Sequence, residues 1–405
     1  MEAVEDVVIV GAGIAGLTTS LGLHRFGIRS LVLEASDTLR VTGFAFTTWA
    51  NAWKVLDGLG IGDSLRQKHK QLDGMVVTST TSGQPSSRLP FKSQNSEVRC
   101  VERKLLLEDL VKELPDGTVR YSSKVVSIEE SGHFKLLNLV DGTIIKTKVL
   151  IGCDGVNSVV AKWLGFKKPA STGRSAIRGC AYYSGSHGFG PEFKLFIGKG
   201  FRSGFLPCND SAMYWFFTWT PSSQDGDLEE NTTKLKEFVL NKLQDLPDQV
   251  KAVIETTRTD IDDVISSPLR YRQPWELLWA NISKGNVCVA GDALHSMTPD
   301  IGQGGCSALE DGFILARCLA TALLKKPSGG GEEEEWKWIE MGLKSYVKQR
   351  RWRSIDLITT AYMVGRIQQS EGKLMNFLSD RVLSPILPGL LLKKSSFDVG
   401  RLNIA

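Results

Sequence analysis

Val7-Val8-Ile9-Val10-Gly11-Ala12-Gly13-Ile14-Ala15-Gly16 carries four consecutive apolar residues straight into G-x-G-x-x-G. An unbroken apolar strand is what a parallel sheet covered on both faces requires. Gly11 permits a tight turn, Gly13 lets backbone approach a pyrophosphate, and Gly16 lets the next helix lie close on the strand. That helix is predicted over 14–26 with Gly27 ending it, and a second strand follows over 30–34. Its N-terminus offers free N–H groups and partial positive charge to phosphates. Glu34 stands eighteen positions after Gly16, where a carboxylate accepts hydrogen bonds from a ribose diol. Strand, glycine turn, helix and acid together point to an adenine dinucleotide without saying which one.

Outward from this unit the texture changes. Residues 73–100 and 172–280 are rich in Thr, Ser, Gly and aromatics, with runs such as Phe193-Lys194-Leu195-Phe196-Ile197 and Met213-Tyr214-Trp215-Phe216-Phe217. Such runs read as antiparallel strands. The apolar strand Asn286-Val287-Cys288-Val289-Ala290 returns to the first pattern. The predicted fold class is therefore α/β. A Rossmann-like dinucleotide-binding domain (1–72, 101–171 and 281–326) is interrupted by a β-rich substrate domain (73–100 and 172–280). A flexible linker (327–335) and a helical C-terminal region (336–405) follow. Gly198, Gly200 and Gly204 precede no helix and read as bends or bulges, so no second nucleotide fingerprint is expected. The stretch 383–392 is apolar but short, and reads as a tail packed on the body rather than a membrane-surface contact.

Composition narrows the function classes. A net charge of +4 with no basic run argues against a nucleic-acid partner and modestly favours anionic ligands. Seven scattered cysteines without C-x-x-C spacing argue against a zinc site or disulfide framework, so no metal is expected and a reducing compartment is. With no signal-like segment and no long apolar run, the expected location is cytoplasmic, with no transmembrane segment. Monomer and dimer both stay open.

Two later motifs choose the cofactor. One is the apolar strand and turn Val149-Leu150-Ile151-Gly152-Cys153-Asp154-Gly155-Val156-Asn157-Ser158. The other is Gly291-Asp292-Ala293-Leu294-His295-Ser296-Met297-Thr298-Pro299-Asp300-Ile301-Gly302-Gln303-Gly304-Gly305, leading into a helix. With these the chain resembles the single-component FAD-dependent aromatic hydroxylases (group A flavoprotein monooxygenases), among them zeaxanthin epoxidase and the salicylate and urate hydroxylases. Plant members are the nearest in kind, which implies a place in plant secondary metabolism.

The resemblance implies non-covalent FAD, NADPH or NADH as transient co-substrate, and O2. It implies oxygenation of a small aromatic or otherwise electron-rich molecule through a flavin C4a-hydroperoxide, with no protein residue assigned as catalytic. Gly11, Ala12, Gly13, Ile14, Ala15, Gly16, Glu34 and Ala35 would hold the ADP half. Arg103 would reach the flavin side, and Val126 would meet adenine through its backbone. Asp154 and Gly155 would touch FAD and NAD(P)H, and Asp292 the ribitol. Pro299, Gly302, Gln303, Gly304 and Gly305 would lie along the isoalloxazine edge.

Phe44, Phe46, Arg178, Phe196, Phe205, Tyr214 and Phe216 are the substrate-side expectations, with Gly43 permitting movement near the first two. His295 is expected to be structural, and Asp300, Glu310 and Asp311 to be cap and helix residues. Relatives carry arginine at the position of Ala161, so the NAD(P)H contacts do not transfer directly there. The competing readings are a same-fold reductase or dehydrogenase and a non-enzymatic FAD-fold escort protein. A halogenase is rejected because Trp336-Lys337-Trp338-Ile339-Glu340 lacks the W-x-W-x-I-P ending. No Cys or His is placed to bond the flavin covalently, since Cys306 leads into a helix start. Acid precipitation of the purified protein should therefore release all flavin to the supernatant; flavin left in the pellet would contradict this.

Overall fold

The computed structural model describes residues 4–39, 44–80, 83–91, 96–198, 200–222, 231–260, 263–325, 331–369 and 384–403. Gly43, residues 327–330 of the expected linker and Leu383 lie outside them. The chain begins β1 (Val4–Val10), α1 (Ile14–Arg25), β2 (Leu31–Leu33), β3 (Ala45–Thr48), α2 (Ala50–Leu59) and α3 (Gly62–Lys68). Next come β4 (Gly74–Ser79), β5 (Pro85–Pro90), β6 (Arg99–Glu102), α4 (Arg103–Lys112) and β7 (Val119–Arg120). Then follow β8 (Val125–Ser131), β9 (Phe134–Leu139), β10 (Ile144–Gly152) and α5 (Val159–Trp163).

The middle of the chain forms β11 (Ala170–Tyr182), β12 (Glu192–Gly198), β13 (Phe201–Pro207), β14 (Ala212–Trp219), α6 (Thr232–Lys242), α7 (Asp248–Thr256) and β15 (Val264–Tyr271). After α8 (Glu276–Trp279), β16 (Ser283–Lys284) and β17 (Val287–Val289) come α9 (Asp292–His295), a 3-10 turn (Pro299–Ile301) and α10 (Gly304–Leu324). Two further helices, α11 (Glu332–Gln369) and α12 (Ser384–Lys394), complete the described elements. Glu332–Glu335, expected in the linker, instead form the first turn of α11. Four carboxylates there suit the positive end of the helix dipole.

The first sheet runs β16-β17-β10-β1-β2-β7, with β9 joining β10 and β8 joining β9. Its centre is parallel, because β1 pairs in parallel with both β10 and β2, and β10 with β17. Val8, Ile9, Leu150, Ile151 and Cys288 are fully buried there, as their unbroken apolar runs demand. The second sheet runs β15-β11-β14-β13-β12-β4-β5. It draws β4 and β5 from one stretch of chain and its other strands from another, joined where β4 pairs in parallel with β12.

Period-two alternation gives this second sheet two apolar faces. Phe196, Phe205, Trp215 and Phe217 belong to a cluster with Leu235 and Val239 of α6 and Val253 of α7. Cys180, Phe193, Leu195, Leu206 and Tyr214 belong to the core shared with the first sheet. Among the described residues no helix is long and apolar enough to cross a membrane.

Helix α10 lies against α1, and the contact is made by missing side chains. A Cβ on Gly312 would sit 2.7 Å from Thr18 Cβ and 2.8 Å from the Ala15 carbonyl oxygen. Both neighbours belong to α1, and the oxygen cannot move without breaking its helix. Gly312→Ala should therefore destabilise the protein by about 1–3 kcal/mol. A clear fall in Tm by calorimetry checks this, and an unchanged Tm would show that the two helices separate freely.

Candidate active site

The three glycine motifs, far apart in sequence, meet at the C-terminal ends of β1, β10 and β17. Gly11 has φ +103°, and a Cβ there would approach the Cys153 carbonyl oxygen to 2.5 Å. Only glycine lets these two strand ends back onto each other. A Cβ on Gly291 would lie 2.8 Å from Ala15 Cβ, which brings the third motif to the start of α1. The crevice beyond the C-terminal strand ends of an open parallel sheet is where such folds bind ligands.

The groups around this crevice fit an FAD. No side chain caps the start of α1, so its N–H groups are available to a phosphate. Arg103 Nη2 lies 4.0 Å from the Cβ position of Gly13, a guanidinium over the fingerprint turn. Its backbone N donates to Phe44 O at 2.7 Å. Glu34 is held at the mouth by Ala12 N (2.9 Å) and Ser36 N (3.0 Å), ready to accept from a ribose. Ser123 N donates to Glu34 O, which brings the segment leading to half-exposed Val126 beside it.

Asp292, Pro299 and Ala35 are exposed, while Gly13, Ile14, Glu34, Arg103, Gly155 and Gly302 are partly so; Ala12, Ala15, Gly16 and Gln303 are buried beneath them. The start of α10 also lacks a side-chain cap. Phe46 backs it, its ring 2.5 Å from the Cβ position of Gly305.

Asp154 has a further duty. It accepts from Ser158 Oγ (2.5 Å) and Val159 N (2.6 Å), and so fastens the start of α5. Burial pushes its carboxyl up in spite of these donors. Ala161 donates its N–H to Ser158 Oγ and is itself buried.

On the substrate side, Arg178, Tyr214 and Phe216 share the sheet face toward the first domain, with Arg178 opposite Phe216 and Cys180 opposite Tyr214. Phe196 and Phe205 do not join them. Both point to the other face and meet edge to face, ring centres 6.0 Å apart, in the cluster with α6 and α7, so they are core. Gly204, expected at a bend, lies within β13, where a Cβ would collide with the Phe216 ring. Two surface cavities of about 740 and 430 Å³ lie beside the α6–α7 loop and between α10 and α11, away from all three motifs.

The acids expected as cap and helix residues are also members of buried ion-pair networks, Glu310 and Asp311 from within α10. Arg350 of α11 reaches Asp311 Oδ1 (2.5 Å), Glu310 Oε2 (2.6 Å) and Ser307 Oγ (2.9 Å). Arg353 adds a bond to Glu310 Oε1 at 2.8 Å. Asp311 Oδ2 lies 2.7 Å from His295 Nε2 and accepts from Gly291 N at 2.7 Å. Asn51 Nδ2 donates to both Glu310 Oε1 and Gln303 Oε1, which carries the network into the glycine loop. Ser307 Oγ also meets His295 Nε2, at 3.2 Å, so serine and aspartate share one ring nitrogen and form no catalytic relay.

Burial alone would push Glu310 and Asp311 up. Arg350 and Arg353 outweigh it for Glu310, and His295 and Arg350 for Asp311, so both are held below the usual carboxylate range. A second cluster joins Asp300 to Arg174 (2.8 Å) and Arg202 (3.1 Å). There too burial is outweighed by the two guanidiniums, and Asp300 stays low. The sequence reading missed all four arginines. A signal existed for Arg350, which shares the stripe of Tyr346, Leu357 and Ile358 rather than a solvated face; all four are buried.

Fold and site define a single-component FAD-dependent group A flavoprotein monooxygenase, an enzyme acting on small organic substrates. The FAD binding domain family matches residues 5–333, and the chain belongs to that family. It is 60% identical to Monooxygenase 2 of Arabidopsis thaliana, covering 99% of each chain. It is 28% identical to the FAD-dependent urate hydroxylase of Mycolicibacterium vanbaalenii, covering 76% of this chain and 78% of the other. In fold it matches the crystal structure of Klebsiella pneumoniae HpxO complexed with FAD and uric acid, with TM-score 0.81 at 23% identity over 96% of both chains.

Removing Arg350 would strand two buried carboxylates, which costs about 3–5 kcal/mol. Glu310 and Asp311 are depressed in the fold, so their stabilisation is complete above the unfolded carboxylate range and is lost as pH falls through their folded values. Arg350→Leu should thus lower Tm strongly at neutral pH, and the gap to wild type should narrow on acidification as the stranded carboxylates protonate. A gap that is constant or widens toward acid would contradict the assignment.

Proposed function

We propose that this chain oxygenates a small, planar, electron-rich aromatic substrate that is an anion, with NAD(P)H as electron donor and O2 as oxygen source. The Arg174–Asp300–Arg202 cluster carries the anionic part of this reading. Two guanidiniums share one carboxylate where Arg174, Arg202 and Asp300 are only 6%, 5% and 1% exposed. Guanidiniums held out of water favour hydrogen-bonded anionic partners. Arg202 Nε has no hydrogen-bond partner among the described residues, and buried donors are ordinarily satisfied. An acidic oxygen of the substrate would satisfy it.

The Phe216 ring lies under the Arg202 guanidinium at 5.2 Å, with Tyr214 beside it, a flat apolar surface for an aromatic ring. Two relatives support the reading by what they carry, one being a urate hydroxylase and another having been crystallised with uric acid, a planar acid.

FAD, when bound, supplies the redox and oxygen-transfer chemistry. Gly11, Gly13, Glu34, Arg103 and Asp292 would hold it. The chain's own work is to place the substrate ring between Phe46 and the β-rich sheet, to pair its charge and to keep water away. The uncapped N-terminus of α10 would stabilise negative charge laid against Gly304 and Gly305.

The test is a titration of the FAD-loaded protein, followed by flavin absorbance, with aromatic acids and their uncharged isosteres. One charge-assisted hydrogen bond is worth about 1.5–3 kcal/mol, so acids should bind about 10- to 150-fold more tightly. Arg202→Gln should abolish that preference while keeping the flavin. Isosteres that bind as tightly as the acids would overturn the charge assignment. NAD(P)H oxidation without O2 uptake, with a bound acid present, would overturn the oxygen source.

A further inference from the structure

We infer that Cys100 and Cys208 form a peroxide-responsive dithiol that closes to a disulfide between the two-stranded β3–β6 sheet and the β-rich sheet. Their sulfurs lie 3.4 Å apart and both residues are fully buried. Cys100 is in β6, and Cys208 stands in the turn between β13 and β14. That turn is fixed from both sides, with Cys208 N donating to Ala212 O and Cys208 O accepting from Lys70 N, each at 2.9 Å. Sulfurs already in contact have little distance to cover to the bonding separation of about 2.05 Å.

Polar groups lie beside the pair. Cys180 of β11 neighbours Cys208 and Tyr182. The Tyr182 hydroxyl donates to Glu102 Oε2 at 3.2 Å, and Asn209 Nδ2 donates to the other carboxylate oxygen at 3.4 Å. Burial pushes the Glu102 carboxyl up, which suits it to accept a proton. The hydrogen bond with Cys100, together with burial, pushes the Cys208 thiol well up, so the resting pair is slow toward thiol reagents.

The oxidant is hydrogen peroxide, which is small and uncharged. One sulfur attacks a peroxide oxygen; the O–O bond breaks, leaving a sulfenic acid and one water. The second sulfur then attacks the first, the S–S bond forms, the S–O bond breaks and a second water leaves. Two thiols lose two electrons and two protons, and the peroxide gains both. The proton of the attacking thiol passes to the departing hydroxide, which leaves as water.

The geometry gives the bond a mechanical meaning. Strand β6 pairs with β3, which carries Phe46, and leads directly into Arg103. A staple at Cys100 would therefore join the strand bearing cofactor-side groups to the sheet bearing Arg202 and Tyr214.

The experiment treats the full-length FAD-loaded protein with hydrogen peroxide, blocks remaining thiols and maps peptides without reduction. The expected result is a Cys100–Cys208 cross-linked peptide with flavin still bound, an upward shift of Tm, and reversal of both by dithiothreitol. Cys208→Ala and Cys100→Ala, each checked for flavin content, should show neither change. The wild-type cross-link is decisive even if a variant folds poorly. A cross-link through Cys180, one that forms only after flavin is lost, one that lowers Tm, or none at all would overturn the inference.

Discussion

A carboxylate out of water stays ionised only if a cation is brought to it, and Glu310 and Asp311 impose that condition on this chain. Both are fully buried in α10, the helix that starts at the glycine loop. Arg350 of α11 meets the condition and is as deeply buried as they are. Once the pairing is made, much else follows. Helix α11 is fixed along α10, Asp311 holds the turn at Gly291, and Asn51 passes the constraint to Gln303. The glycine loop is thus braced from behind by buried charges.

The same arrangement recurs between the two sheets. Arg174 and Arg202 belong to the β-rich sheet and Asp300 to the 3-10 turn that precedes the loop. Helix α11 closes over this cluster as well, since a Cβ on Gly365 would strike both Asp300 and Arg174. A site assembled from two bodies needs their separation fixed, and directional ion pairs set it more sharply than apolar contact does.

What was legible in the sequence follows from the range of the interaction that decides each feature. The turn at Gly11, the helix after it and the apolar strands β1, β10 and β17 depend on neighbours in the chain, and they stood in the sequence as they stand in the fold. Alternation marked the strands of the second sheet but not which face met the cofactor domain, so Phe216 and Phe205 looked alike and only one faces the site. Asp300, Glu310 and Asp311 read as cap and helix residues, and their ion pairs stayed hidden because the partners come from distant segments. The thiol contact between Cys100 and Cys208 was equally invisible, since nothing local relates β6 to a hairpin turn of the other sheet.

The way each sheet is closed bears on how the chain is made. Strand β10 receives its last parallel neighbour only at Val287–Val289, and β4, paired early with β5, receives its parallel neighbour only at Glu192–Gly198. During synthesis the far edge of β10 therefore stays open until well past half of the chain has been made. Long-range parallel pairing is slow to form and exposes unpaired edges to neighbouring chains. The glycine fingerprint is among the first segments to leave the ribosome, yet its binding crevice is among the last features to be finished. The strand ends that carry the three glycine motifs accordingly cannot all be in place until the last of those motifs, at 291–305, has been made.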